Sequence, residues 1–265
     1  MVCWVSCSPA TEIQGFTEPY QDIDVAASEM GIVEAIHIKE GDRVTENQLL
    51  VQMDDSVLEV TLEIAKSIKQ SRGRLESAME DLHQQTITVK KLNELIARKH
   101  ASSQELDRAE SKRRIAQANL KAIQEELQVK TLEYERTLVQ LEKRCLRSPI
   151  DGVVTRVLRD CGESVLPSDP VIVRVVQLDP LLVIFLVPAD LARELSVGRA
   201  VNVRFMDPTH MASGSIEFVS PTIDPQSGTT RVRVRLPNPD ERLHCGTTCY
   251  LDFADTYSPL AAKHP

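Results

Sequence analysis

Apolar residues recur every seven positions through the middle of the chain, between about residues 55 and 144. The first run has strong positions at Ile68, Leu75, Leu82, Val89 and Ile96, and weaker ones at Ile64, Ser71, Ala78, Gln85 and Leu92. The second run contains Leu106, Ala109, Ala116, Leu120, Ile123, Leu127, Tyr134 and Leu141, with lapses at Arg113, Lys130 and Thr137. Heptads sustained over this length predict two coiled-coil helices.

A short polar stretch at residues 99–102 separates the two runs. Ser102 or Ser103 is a suitable helix N-cap, and Glu105 stands three residues after Ser102, as in a capping box. The two helices would have similar lengths, roughly 43 residues or about 65 Å each. A short connection between them predicts an antiparallel α-helical hairpin. The absence of proline between Pro19 and Pro149 agrees with long helices.

The segments on either side of this hairpin form an internal repeat with an offset of 121 residues. Gly31 aligns with Gly152 and Gly41 with Gly162, and the apolar positions around these glycines align as well. Each copy predicts short strands joined by turns, and Gly31, Gly41, Gly152 and Gly162 are interpreted as structural turn residues. A copy of about 30 residues is too small to bury a core alone, so we expect both copies to form one β-sandwich. The hairpin is then an insertion between its halves, and Gly31 and Gly152 should lie in the same sandwich.

Residues beyond the repeat predict a second β-domain. Apolar or alternating segments indicate strands at 181–187, 200–205, 214–219, 230–236 and 249–253. The fourth strand alternates apolar residues with Arg231, Arg233 and Arg235, a pattern typical of a half-buried strand with a basic outer face. Turn signals flank it at 224–226 and 238–240. A short helix is expected to begin at Pro188, since proline is favoured near helix starts.

The paired segments beginning Gly31-Ile32-Val33 and Gly152-Val153-Val154, each followed by Gly-Asp or Gly-Glu, resemble the biotinyl/lipoyl carrier fold. A carrier domain presents a modifiable lysine at the turn between its halves, whereas this chain has the long hairpin there. A split lipoyl domain with a hairpin resembles the periplasmic adaptor family, also called membrane fusion proteins. Residues 147–152 resemble the family's entry into the second half. Residues 220–225 and 236–240 resemble adaptors of resistance-nodulation-division (RND) pumps.

This resemblance implies an elongated multidomain α+β protein. An antiparallel coiled-coil hairpin (55–144) is inserted in a split lipoyl-like β-sandwich (26–54 and 145–175), followed by a β-barrel (13–25 and 176–255) and a tail (256–265). The implied function is a periplasmic adaptor subunit that links an inner-membrane transporter, RND-type favoured, to an outer-membrane efflux channel. The implied partners include further copies of the chain in a ring, a hexamer or a trimer of dimers. The implied location is the periplasm, in association with the inner membrane.

One family motif bears on the hairpin tip. Adaptors that dock onto outer-membrane channels carry Arg-x3-Leu-x6-Ser there, and Lys91, Leu95 and Ser102 stand at the corresponding positions. The resemblance implies that these three contact the channel, although lysine lacks the planar fork of arginine. From physical chemistry alone, Lys91 is a solvated residue, Leu95 a contact within the hairpin and Ser102 an N-cap. Both interpretations stay open at the sequence level.

Composition and the missing motifs argue against several classes of function. The formal charge is −8 and the sequence pI about 5.4, which argues against nucleic acid as a partner. The apolar runs are shorter than a membrane-spanning helix needs. Phosphate-binding loops, zinc motifs and nucleophile elbows are missing, so we expect neither an enzyme, a metal site nor a cofactor. The alternatives are a structural coiled-coil scaffold without a transport role, an adaptor of an ABC-type exporter, and a lipoyl-like carrier component.

The chain ends and the cysteines carry weaker signals. Residues 1–12 are no complete signal peptide and are interpreted as a residual N-terminal segment. In Val5-Ser6-Cys7 we see a faint likeness to a lipoprotein cleavage site, which makes Cys7 a candidate lipid anchor. The membrane-proximal domain of many adaptors is expected to be absent or vestigial. The six cysteines are expected to be mostly buried thiols.

Overall fold

The computed structural model describes residues 12–205 and 211–251. Backbone contacts divide the chain into two compact units. The β unit consists of residues 1–52 and 146–265, and the helical unit consists of residues 53–145. In sequence, the helical unit is therefore inserted between the two parts of the β unit, as the repeat predicts.

The helical unit contains α1 (Ser56–Gln70), α2 (Gly73–Ala97) and α3 (Ser103–Glu142). Both α1 and α2 pack against α3. An ion pair of 3.0 Å joins the Arg74 guanidinium to the Glu126 carboxylate, and the Lys69 ammonium lies 4.4 Å from the ring centre of Tyr134. Since the earlier residue of α1–α2 contacts the later residue of α3, the two arms run antiparallel.

The first arm is interrupted, whereas the heptads predicted one continuous helix. Gln70 ends α1, Ser71 takes an extended conformation with ψ of 110°, and α2 begins at Gly73. Gly73 is the one glycine between Gly41 and Gly152. Glycine loses the most backbone entropy in a helix, and serine competes for backbone hydrogen bonds, so this is the weakest helical stretch of the arm.

The interruption also changes which residues of the first arm, α1 and α2, face the second arm, α3. We call the contact between the two arms the seam. In α2 the shielded positions include all seven predicted ones and, in addition, Ile87; the seven are Leu75, Ala78, Leu82, Gln85, Val89, Leu92 and Ile96. In α1 the half-buried positions are Leu58, Leu62, Ala65 and Lys69. The expectation that Ile64 and Ile68 lie in this seam is wrong, because their exposed fractions are 57% and 42%. Across the break the heptad phase shifts by one residue.

The two halves of the repeat interleave in one sandwich. The first half supplies β2 (Gly31–Ile36), β3 (Arg43–Val44) and β4 (Leu49–Met53), and the second supplies β5 (Cys145–Arg147), β6 (Gly152–Val157) and β7 (Ser164–Val165). One sheet has the order β5-β4-β2-β7, and β3 pairs with β6 in the other. Each sheet therefore combines strands of both halves, and Gly31 and Gly152 lie in the same sandwich, as expected.

The barrel includes two long strands, β1 (Ile13–Ala26) and β8 (Val171–Pro188). Its other strands are β9 (Ala200–Phe205), β10 (Met211–Val219), β11 (Thr229–Leu236) and β12 (Thr248–Leu251), and α4 (Ala189–Ala192) follows β8. The order β1-β12-β9-β10-β11-β8 closes through the pairing of β1 with β8. Alternate residues of β11 are buried in the barrel core while its arginines face outward, so the predicted strand and its basic face are confirmed.

The long strands β1 and β8 also connect the two β-domains. Residues 15–19 of β1 pair with residues 181–185 in the barrel, whereas residues 21–26 pair with residues 171–177 beside β6. A register shift separates these two stretches. The passage from barrel to sandwich therefore occurs within continuous strands.

Candidate functional site

The turn between α2 and α3 is held by backbone hydrogen bonds at the end of α2. The His100 N–H donates to the Leu95 carbonyl at 2.8 Å, and the Lys99 N–H donates to the Ile96 carbonyl at 2.9 Å. This pair of bonds is a Schellman motif, which requires a left-handed residue at its centre. Lys99 fills that position with φ of 61°, where glycine is usual. The turn therefore ends α2 abruptly and fixes the direction of the chain entering α3.

Ser102 starts α3 through a reciprocal capping box. The Ser102 hydroxyl oxygen accepts the Glu105 N–H at 3.3 Å, and the Glu105 carboxylate accepts the Ser102 N–H at 2.9 Å. These bonds to Ser102, from its backbone first and its hydroxyl second, lower the pKa of Glu105 below its ordinary value. The N-cap predicted from the sequence is confirmed. The hydroxyl of Ser102 therefore has a structural role as a cap at the start of α3.

Lys91 and Leu95 stand one turn apart on α2, each one position before a seam residue, Leu92 and Ile96 respectively. Both side chains are exposed, Leu95 by 40%. The one-residue offset places Leu95 beside the seam and not among its shielded positions, so part of its side chain presents apolar surface to solvent. Ser102 is also exposed and follows the turn.

The surroundings of these residues are basic. Residues 90–100 contain four basic side chains, Lys90, Lys91, Arg98 and Lys99, against the single acidic Glu94. All five are exposed. The α2 side of the turn therefore presents a positive surface, whereas the start of α3 carries Glu105, Asp107 and Glu110 with Arg108.

A shallow groove of about 590 Å³ lies beside the turn, lined by Thr86, Val89, Lys90, Asn93, Glu94, Ala97 and Arg113. Arg113 is a seam position of the second heptad run, and its Nε is buried with no hydrogen-bond partner among the described residues. A charged side chain in a heptad seam weakens the pairing of the arms at that level. Sequence reasoning recorded Arg113 as a lapse in the pattern but did not connect it with the turn.

The four repeat glycines have two different roles. Gly41 and Gly162 occupy turns with φ of 93° and 85°, a region that side chains rarely adopt. Gly31 and Gly152 are instead the first residues of β2 and β6, so their prediction as turn residues is corrected. At Gly152 the reason for glycine is close approach, because a Cβ atom would lie 2.3 Å from the Val176 carbonyl oxygen of β8.

The described cysteines do not form disulfides with one another. Cys161 and Cys245 are exposed, Cys145 is half-buried and Cys249 is buried, so the expectation of mostly buried thiols is wrong. Cys161 and Cys245 each precede a glycine with positive φ, and the resulting turns bring both residues to the surface. Burial raises the pKa of Cys249 to about 12. Cys7 lies outside the described residues.

Within residues 12–205 and 211–251, no cluster of three or more His, Cys, Asp and Glu side chains is placed to hold a metal ion. Among the helices of that part of the chain, none combines the length and apolarity needed to cross a membrane.

Comparison with known families assigns both β-domains. Residues 21–177 match the barrel-sandwich hybrid domain of RND membrane fusion proteins. Residues 183–257 match the CusB-like β-barrel domain. The first match includes both halves of the repeat together with the inserted helices, and so covers more than half of the chain.

Curated relatives and solved structures agree with these matches. Multidrug resistance protein MdtE of Escherichia coli K12 is 25% identical over 249 residues, which are 89% of this chain and 61% of MdtE. The antibiotic efflux pump periplasmic linker protein ArpA of Pseudomonas putida is 28% identical over 245 residues, 88% of this chain and 60% of ArpA. The chain thus spans about three fifths of these relatives' length.

The fold is also that of solved membrane fusion proteins. The crystal structure of MacA from Actinobacillus actinomycetemcomitans superposes with a TM-score of 0.79 at 21% identity, covering 91% of this chain and 77% of MacA. The membrane fusion protein Spr0693 from Streptococcus pneumoniae R6 gives a TM-score of 0.61 at 16% identity, covering 91% and 97% of the two chains. The chain therefore belongs to the RND-type membrane fusion protein family, the periplasmic adaptors.

Proposed function

We propose that the chain is a periplasmic adaptor subunit of a tripartite efflux transporter, linking an inner-membrane pump to an outer-membrane channel. The observation that carries this proposal is the insertion of a two-armed helical unit between the halves of a barrel-sandwich hybrid domain. The names of the relatives, a multidrug resistance protein and an antibiotic efflux pump periplasmic linker protein, support the same role. Its task is assembly, and no catalytic step is assigned to its residues.

The helical unit would act as an antiparallel coiled-coil hairpin that reaches the outer-membrane channel. Supporting this, seven shielded positions of α2 coincide with the heptads, and the arms run antiparallel. The contact residues would be Lys91, Leu95 and Ser102 around the turn. Lys91 supplies a positive charge, exposed Leu95 an apolar contact, and Ser102 a rigid helix start whose hydroxyl lies at the surface.

Several copies of the chain would form a ring. The support is an exposed apolar stripe on α1 consisting of Val57, Val60, Ile64 and Ile68, with exposed fractions from 42% to 77%. We call these four residues the outer stripe. A helix that has one apolar side against its own hairpin and another facing solvent is suited to contact a neighbouring hairpin. Repeated contacts around a ring would then sum to a stable assembly.

The β-barrel would face the inner-membrane pump, and RND-type partners are favoured because the hybrid domain matches the RND subfamily. We accordingly propose a periplasmic location in association with the inner membrane. An adaptor of an ABC-type exporter is the second candidate. Co-purification separates the two, since an RND pump has about twelve membrane spans and an ABC exporter would bring an ATP-binding subunit. A structural scaffold without a transport role would recover neither.

The docking claim is tested by reversing one charge at the turn. Lys91→Glu should restore drug sensitivity in a host that depends on this adaptor, while Lys91→Arg should keep resistance. Lys112→Glu, an equally exposed charge reversal on α3, is the matched control and should behave as the unaltered chain. Unchanged resistance with Lys91→Glu, at equal protein level, would show that the turn does not dock through this residue.

A further inference from the structure

Helix α1 carries two stripes of mainly apolar residues, and the two stripes are offset by one residue along the helix. The inner stripe, Leu58, Leu62, Ala65 and Lys69, is half-buried and faces α3. The outer stripe, which includes Ile64 and Ile68, faces solvent. Neighbouring positions of a helix point about 100° apart, so a rotation of one residue would exchange the stripes.

If the heptad positions of α2 are continued back into α1, they coincide with the outer stripe and not with the inner one. Counting back by heptads from Leu75 gives Ile68, and counting back from Ala78 gives Ser71 and then Ile64. If residues 71–72 became helical, α1 and α2 would form one continuous helix. Ile64 and Ile68 would then enter the seam, and Ala65 and Lys69 would leave it.

The structure contains space for this exchange. A cavity of about 90 Å³ lies at the interruption, and its apolar lining includes Ile68, Leu75, Ile123 and Leu127. Ile68 stands at the edge of this cavity with 42% of its surface exposed. The lining also includes Ser71, Arg74, Glu126 and Lys130. The apolar part of the cavity wall lacks dispersion contacts, which favours its contact with an adjacent apolar side chain.

The observed and the continuous arrangement each have favourable and unfavourable features. In the interrupted form, Leu58 and Leu62 are half-buried, and the Lys69 ammonium lies 4.4 Å from the Tyr134 ring centre. The continuous form would replace Ala65 and Lys69 by two isoleucines but lose both leucines from the seam. It would also place Gly73 inside a helix, which is unfavourable.

We propose that α1 exchanges between these two registers, and that a second copy of the chain holds it in the interrupted one. In that register the outer stripe is available to the neighbouring hairpin, whereas the continuous register buries Ile64 and Ile68 in the chain's own seam. Ring assembly and hairpin register are thereby coupled, since the same side chains cannot serve both contacts. The assembly half of this inference rests on the proposed ring, but the exchange itself does not.

The exchange is tested on the dilute, monomeric chain. Single cysteines at positions 64 and 65 are compared by maleimide labelling after serine or alanine replaces the native cysteines. In the parent background the Ile64→Cys thiol should react several-fold faster than the Ala65→Cys thiol. Adding Ser71→Ala and Gly73→Ala, which favour helix across the interruption, should reverse this order. If the order persists while circular dichroism shows added helix, the two-register proposal is wrong.

Assembly is tested separately by cross-linking at higher concentration. Ile64→Glu should abolish oligomers, and Ser71→Ala with Gly73→Ala should weaken them, because both remove the outer stripe from the neighbour. Glu63→Gln, an adjacent exposed substitution, is the control and should leave them intact. Oligomers unaffected by the helix-favouring pair would refute the coupling. Absence of oligomers from the parent chain would refute the ring, while the labelling result would still decide the exchange.

Discussion

Gly31 and Val165 are direct antiparallel partners in the sandwich, and the residues equivalent to them by the 121-residue offset, Gly152 and Val44, are partners in the same way. The hydrogen bonds repeat as well. The Gly41 N–H donates to the Val154 carbonyl at 2.8 Å, and the Gly162 N–H donates to the Val33 carbonyl at 2.7 Å. The sandwich therefore has an internal twofold relation, so each half completes the sheets of the other.

This relation predicts how two glycine substitutions differ. Gly152→Ala would bring a Cβ atom within 2.3 Å of the Val176 carbonyl oxygen, and we expect a loss of about 1–3 kcal/mol in unfolding free energy from the forced displacement of β8. Gly41→Ala meets no atom within 4 Å and should lose about 1 kcal/mol from its positive φ alone. Urea unfolding measures both, and a smaller loss for Gly152→Ala than for Gly41→Ala would contradict the close-approach argument.

The sandwich was predictable because its two halves repeat in the sequence, and residues that pair in the structure are related by the same 121-residue offset. The turn was predictable because the N-cap chemistry of Ser102 with Glu105 is local. The interruption at residues 71–72 was not, because the heptads continue through it and its position depends on packing against α3. The partial exposure of Leu95 was not predictable for a related reason, since one residue of offset decides between seam and solvent.

Protonation of Glu105 should loosen the start of α3. Its folded pKa is lowered, so the capping box contributes stability above the pKa of the unfolded chain and loses it as pH falls through the folded value. Hydrogen exchange of the Ser102 amide should therefore gain protection as pH rises through this window, after correction for intrinsic rates. Glu105→Gln keeps an acceptor but cannot titrate in this range, and its corrected protection should stay constant. Parallel profiles for the two chains would refute the assignment.

Asn238 should be a stability-determining residue of the barrel. Its side-chain amide donates to the carbonyls of Leu178 and Leu243 at 3.0 and 3.1 Å and accepts the Leu243 N–H at 3.1 Å. The residue is 3% exposed, so Asn238→Ala would leave these backbone groups buried without partners. We expect a loss of about 1–3 kcal/mol in unfolding free energy. Asp240→Ala, in the same turn but exposed, is the control and should lose less than 0.5 kcal/mol by the usual surface range.

Among the described residues of the β unit, the three thiols should react with maleimide in the order Cys161, Cys245, Cys249. Cys161 is exposed in its turn. Cys245 is exposed as a residue, but its thiol is partly desolvated. This partial desolvation, followed by the negative charges of Asp22 and Glu18, raises the pKa of Cys245, which reduces its thiolate fraction at neutral pH.

Cys249 combines full burial with a pKa of about 12, so it should resist labelling until the barrel unfolds. The experiment uses chains with single remaining cysteines and mass spectrometry, and urea should bring all three to similar rates. Rapid labelling of Cys249 in the folded chain would mean that the contact of β12 with β1 and β9 opens readily, since that pairing is what encloses the thiol.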